Sequence, residues 1–100
     1  MRTTMTQRHC EISDELKSRT NKVIEKLEKI ASRPQSAEVI FNEDHGEKVV
    51  EIVFALPRGQ TKVAKAESDD FRTSLDRAAA KIKNQLKKES RRHSHGAAGD

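Results

Sequence analysis

Arg77, Lys81, Lys83, Lys87, Lys88, Arg91 and Arg92 fall within sixteen positions, and the only acid among them is Glu89. That stretch carries +6, more than the +4 of the whole chain. An ammonium or guanidinium set beside a phosphate releases a condensed counterion, so a row of such groups binds nucleic acid without reading its sequence. A charged helix face is otherwise an ordinary solvated surface, but charge this lopsided in sixteen residues points to a polyanion partner.

Other reactive residue types form no comparable constellation. His93 and His95 stand without the further ligands or supporting shell of a metal site. His9 and Cys10 are neighbours in sequence, which does not give a thiol and imidazole the geometry of nucleophile and base, so Cys10 reads as a small half-buried thiol. Glu43, Asp44 and Glu47 gather in a polar turn with no second acidic cluster in view to pair with them. No catalytic residue, metal ligand or cofactor site is expected, and the chain does not read as an enzyme.

The basic stretch belongs to a helix expected over Phe71 to Arg92. Phe71, Leu75, Ala78, Ile82 and Leu86 recur at helical steps and form one apolar stripe. Ser68 or Asp69 is expected to cap it, with Asp70 adding charge at its positive end. An earlier helix opens after Ile12 with Ser13 as cap and with Asp14 and Glu15 in its first turn. Leu16, Thr20, Val23, Leu27 and Ile30, joined by Ile24 and Ala31, make its buried stripe, and Pro34 ends it. Lys17, Arg19, Lys22, Lys26 and Lys29 lie off that stripe.

Strands account for the remainder. Residues 2–8 are rich in Thr and favour extended backbone. From Ala37 the period becomes two, with Ala37, Val39 and Phe41 on one face. KVVEIVFAL sets Val50, Ile52, Phe54 and Leu56 on one side and should lie centrally in the sheet. After the Pro57-Arg58-Gly59-Gln60 reversal, TKVAKAE returns antiparallel. The order strand, helix, three strands, helix predicts an α+β sandwich, two helices on one face of an antiparallel four-stranded sheet. The domain is expected over residues 1–90, followed by a disordered basic C-terminal tail, 91–100.

Composition limits what such a domain can do. With 33% hydrophobic and 36% charged residues in 100 positions, the core is a single small layer, too thin for a large buried cavity. The lone Cys10 excludes an internal disulfide, and MRTTMTQRHC has no apolar run of a signal peptide. No segment approaches the ~20 apolar residues of a membrane span, so a cytoplasmic protein without a membrane partner is expected. With no Trp or Tyr and only three Phe, the chain lacks the usual platform for stacking single-stranded bases and should read RNA backbone and shape.

Residues 1–90 resemble the short ribosome hibernation and ribosome-associated translation inhibitor family, also called sigma-54 modulation proteins. The resemblance runs from Glu11-Ile12-Ser13 and Leu16 through Lys26-Leu27-Glu28-Lys29 to VVEIVFALPRGQTKVAKAESDDFRTSLDRAAAKIKNQLKK. It implies a β-α-β-β-β-α fold similar to double-stranded RNA-binding domains. It also implies a protein that is a monomer off the ribosome and that binds the small ribosomal subunit at 16S-type rRNA and neighbouring ribosomal proteins, over the decoding region, excluding mRNA and tRNA in stationary phase and stress. Carried to matching positions, it assigns RNA contact to Lys26, Lys29, Lys81, Lys87 and Lys88; Arg77, Lys83, Arg91 and Arg92 join them on charge alone. Phe71 stands where the family commonly has Tyr, and Asn84 where a base is frequent. Without a second domain the chain resembles a short form. The older family name suggests an alternative, a protein-interaction regulator of transcription.

Overall fold

The computed structural model describes the backbone of residues 1–97 and the side chains of residues 1–88. Its elements run β1 (Arg2–Arg8), α1 (Asp14–Ile30), β2 (Ser36–Asp44), β3 (Glu47–Ala55), a short 3-10 turn (Pro57–Gly59), β4 (Thr61–Ser68) and α2 (Phe71–Ala97). The sheet is ordered β1-β2-β3-β4, which puts the most apolar strand in its interior. The backbone of α2 continues past Arg92; the tail expected over 91–100, with His93 and His95, lies outside the described side chains.

The sheet is mixed rather than antiparallel. β2–β3 and β3–β4 are antiparallel hairpins, but β1 pairs with β2 in parallel, Met5 opposite Val39. The cause is α1, which carries the chain back to the end where β1 began, so that β2 starts beside Arg2 and runs the same way. Both helices begin at the end of the sheet where β1, β2 and β4 finish, and they run down the same face.

That face holds the core. Val39, Phe41, Val50, Ile52, Phe54, Ala64 and Ala66 meet Ile24 and Leu27 of α1 and Leu75, Ala78, Ile82 and Leu86 of α2. Phe71 closes the layer edge-on against Phe41, ring centroids 5.6 Å apart, and this ring contact needs no phenolic hydroxyl. Thr20 is fully buried on the α1 stripe, and its hydroxyl donates to the Leu16 carbonyl at 2.8 Å.

Local chemistry fixes the ends. Ser13 Oγ accepts from Leu16 N–H at 3.1 Å and starts α1 as expected. The cap of α2 is Asp70, not Ser68 or Asp69. Its Oδ1 accepts from Thr73 N–H at 2.7 Å and its Oδ2 from the Thr73 hydroxyl at 2.9 Å. Ser68 instead bonds the buried Ser74 hydroxyl at 2.7 Å, and Ser74 Oγ donates to the Lys48 carbonyl at 2.6 Å, tying the start of α2 to β3. The β2–β3 turn is tighter than its polar composition suggests. His45 (φ 52°) and Gly46 (φ 81°) alone form it, a two-residue reversal with both central residues left-handed, matched to strand twist.

Candidate nucleic-acid interface

Among the described residues the helices are joined across their outer surface by one polar contact. Arg19 of α1 gives Asp76 of α2 a forked contact, Nε and Nη2 to Oδ1 at 3.2 and 3.0 Å and Nη2 to Oδ2 at 2.9 Å. Both side chains are about two-fifths exposed, so the pair orients the helices more than it stabilises them. Periodicity gave Arg19 no partner. The signal was Asp76 itself, the lone acid between Asp70 and Glu89 in a basic segment.

This contact heads a valley between the helices. Arg19, Lys22, Lys26 and Lys29 follow one another at steps of three and four, as do Asp76, Ala80, Lys83 and Lys87, so each set descends one flank of its helix. Since Arg19 and Asp76 touch, the two flanks face the same valley. Lys26, Lys29, Lys83 and Lys87 are all exposed, and none makes an ion pair among the described residues. Unneutralised ammonium groups on two helix flanks make a surface suited to a phosphate backbone rather than to base edges.

The other flank of α2 carries Arg77, Lys81 and Lys88, also exposed. It overhangs the edge strand β4, and Lys65, Arg77 and Lys81 line an open groove with Ala66, Glu67 and Ala80. Here the structure adds a role that charge could not show. Lys81 Nζ donates to the Lys65 carbonyl at 2.7 Å, and Gln85 Nε2 to the Val63 carbonyl at 3.1 Å. These are outward carbonyls of an edge strand, the groups that would otherwise recruit a foreign strand. Lys81 therefore serves the fold as well as the basic surface. Arg91 and Arg92 lie outside the described side chains.

Charge divides the domain end to end. Asp14 and Glu15, Asp44 and Glu47, and Asp69 and Asp70 come from three separate segments and meet, all exposed, where the helices begin. The acidic turn of Glu43, Asp44 and Glu47 thus has acidic neighbours after all, supplied by the helix starts. Lys48 answers Glu43 at 2.6 Å while its ammonium lies 5.6 Å from the Phe71 ring centroid. The Thr73 N–H and hydroxyl, with Arg77 nearby, hold the Asp70 carboxyl below the usual 3.8. Acids thus sit at the positive helix ends, and Lys29 sits at the negative end of α1. Among the described residues no group of His, Cys, Asp or Glu is placed to hold a metal ion, and no helix is long and apolar enough to cross a membrane.

Comparisons with known proteins find the same fold, two helices on a four-stranded sheet. The model of the Sigma 54 modulation protein / S30EA ribosomal protein family matches residues 3–94. The chain belongs to this family. A solved structure of a ribosomal subunit interface protein from Coxiella burnetii is 31% identical, covers 90% of this chain and 98% of its own, and superposes with a TM-score of 0.78. The N-terminal domain of Thermus thermophilus Protein Y, 23% identical over 85% of this chain and 93% of its own, shares the fold with a TM-score of 0.74. No curated protein sequence matches the chain significantly. Membership places the chain among ribosome-associated proteins, a family of binding factors.

Proposed function

We propose that the chain is a cytoplasmic translation inhibitor of the hibernation type, which binds the small ribosomal subunit near the decoding region and keeps mRNA and tRNA out by occupying their space. Ribosomal RNA is the principal contact. The observation that carries this reading is the pair of basic flanks on α1 and α2, with Lys26 and Lys29 on one and Lys83 and Lys87 on the other, all exposed and none in an ion pair among the described residues. Membership of the S30EA family and likeness to a subunit interface protein support the ribosome as its target. The mechanism is steric. A rigid wedge held by phosphate contacts needs no catalytic group, and its affinity falls with salt as counterions compete.

Two measurements test it together. Purified protein should displace tRNA from programmed small subunits in filter binding, with a half-point that moves to higher protein concentration as salt rises. Capture from stationary-phase extract should yield small subunits, lost on ribonuclease treatment. Retention of one stoichiometric protein partner after that treatment would instead favour a regulator of transcription acting through protein contact.

A further inference from the structure

Two arginines outside the helices stand where arginine is conformationally costly. Arg33, between α1 and β2, has φ 54°, and Arg58, between β3 and β4, has φ 65°. A side chain with a Cβ is disfavoured in this left-handed region, where glycine is not. Each turn needs a left-handed residue, but neither needs an arginine for packing: both side chains are exposed and neither makes a hydrogen bond or ion pair among the described residues.

The fold brings them to one end. Arg2 N–H donates to the Gln35 carbonyl at 3.4 Å, Gln35 N–H to the Ala55 carbonyl at 2.9 Å, and Leu56 N–H to the Gln60 carbonyl at 2.7 Å. These bonds lash together the segments bearing Arg2, Arg33 and Arg58. This is also the end toward which both helices run. Lys81 reaches Lys65 and Gln85 reaches Val63, so the next turn of α2, with Lys87 and Lys88, advances toward the start of β4 beside Arg58. Lys29 in the last turn of α1 precedes Arg33 by four residues. Glu28 in the last part of α1 is turned to the chain's amino terminus at 4.0 Å. Asp14, Glu15, Asp44, Glu47, Asp69 and Asp70 lie at the far end.

Resting on the RNA-binding reading above, we infer that Arg33 and Arg58 are RNA phosphate contacts, and that the domain enters its RNA site with this basic end leading rather than lying flat along the helices. Each short turn fixes the backbone from which a guanidinium reaches into solvent, and its planar fork suits bidentate phosphate contact. The acidic end then faces away from the RNA.

The test uses Arg33→Gly with Arg58→Gly, because glycine removes charge while relieving the left-handed backbone. A double variant at the opposite end, Arg8→Ala with Arg72→Ala, removes the same charge from two exposed positions. Binding to purified small subunits is followed against KCl concentration. The expected result is a glycine variant that melts no lower than the parent yet binds roughly tenfold or more weakly at 0.1 M salt, its log–log salt slope reduced by about 1.4–1.8. The control should keep the parent slope, and Arg33→Lys with Arg58→Lys, which keeps the charge without the fork, should restore the slope but only part of the affinity. If the parent binds and the glycine variant binds equally well, or no more weakly than the control, the end-on inference falls while the RNA reading stands. If the parent itself does not bind, both fall.

Discussion

Lys81 is predicted to lose two things at once when truncated, and the structure allows them to be measured apart. In Lys81→Ala the ammonium that donates to the Lys65 carbonyl at 2.7 Å is removed. The carbonyl is at an exposed edge and water can replace the donor, so the cost belongs at the low end for a charge-assisted bond, about 0.5–1 kcal/mol. For a domain near this size that is a fall in Tm of roughly 2–8 °C. On RNA the same variant loses one phosphate contact, which lowers the log–log salt slope by about 0.7–0.9. Lys83→Ala is the comparison. Lys83 is equally exposed on the same helix but bonds nothing in the described fold, so it should show the slope change without the fall in Tm, and the gain in helix propensity from Lys to Ala cancels between the two. Thermal melts by circular dichroism and filter binding to small subunits at several salt concentrations read both effects. Equal melting of the two variants would refute the structural role of Lys81. A parental salt slope in Lys81→Ala, with a reduced one in Lys83→Ala, would remove Lys81 from the interface.

Three further outcomes are expected. Ile82→Ala empties the middle of the α2 stripe, where the side chain is fully buried, and should cost about 3–4 kcal/mol in urea denaturation; a loss below about 1 kcal/mol would mean that α2 does not pack as described. Arg19 and Asp76 should show a coupling no larger than about 1 kcal/mol in a double-mutant cycle, since both are two-fifths exposed, and a larger one would make the pair a principal clamp. Asp70 has a folded carboxyl held below 3.8 by the Thr73 donors. Its contribution is therefore fully present above the unfolded value and fades as pH falls through the lower folded value. In Asp70→Asn the acid side of the stability profile should flatten, and a carboxyl titration by NMR at or above 3.8 would contradict the cap.

The element order and both helix stripes were legible because their physics is local. Leu75, Ala78, Ile82 and Leu86 repeat at helical steps, and Val50, Ile52 and Phe54 alternate, and all are buried on the one core layer. Sheet direction was not legible at β1. Its threonines state a strand but not a neighbour, and parallel pairing follows only from the return path of α1. The cap of α2 was missed by one or two positions because Ser68, Asp69 and Asp70 are all competent acceptors, and tertiary bonds of Ser68 with Ser74 decide among them. For the interface, the bases were read from composition, and the described ones are exposed. Their division into a valley wall and a β4 flank was hidden, because it depends on the Arg19–Asp76 contact between residues far apart in sequence. Arg33 and Arg58 carried no periodic signal at all; only their backbone angles and the convergence of two loops single them out.

Co-sedimentation with isolated ribosomal subunits tests the central claim most directly. The parent protein should pellet with small subunits and not with large ones at low salt. A variant with Lys83, Lys87 and Lys88 each changed to Glu, which leaves the Lys81 bond to β4 intact, should remain in the supernatant while keeping its helical content and Tm. Undiminished pelleting of that folded variant, or equal pelleting of the parent with large subunits, would contradict the account.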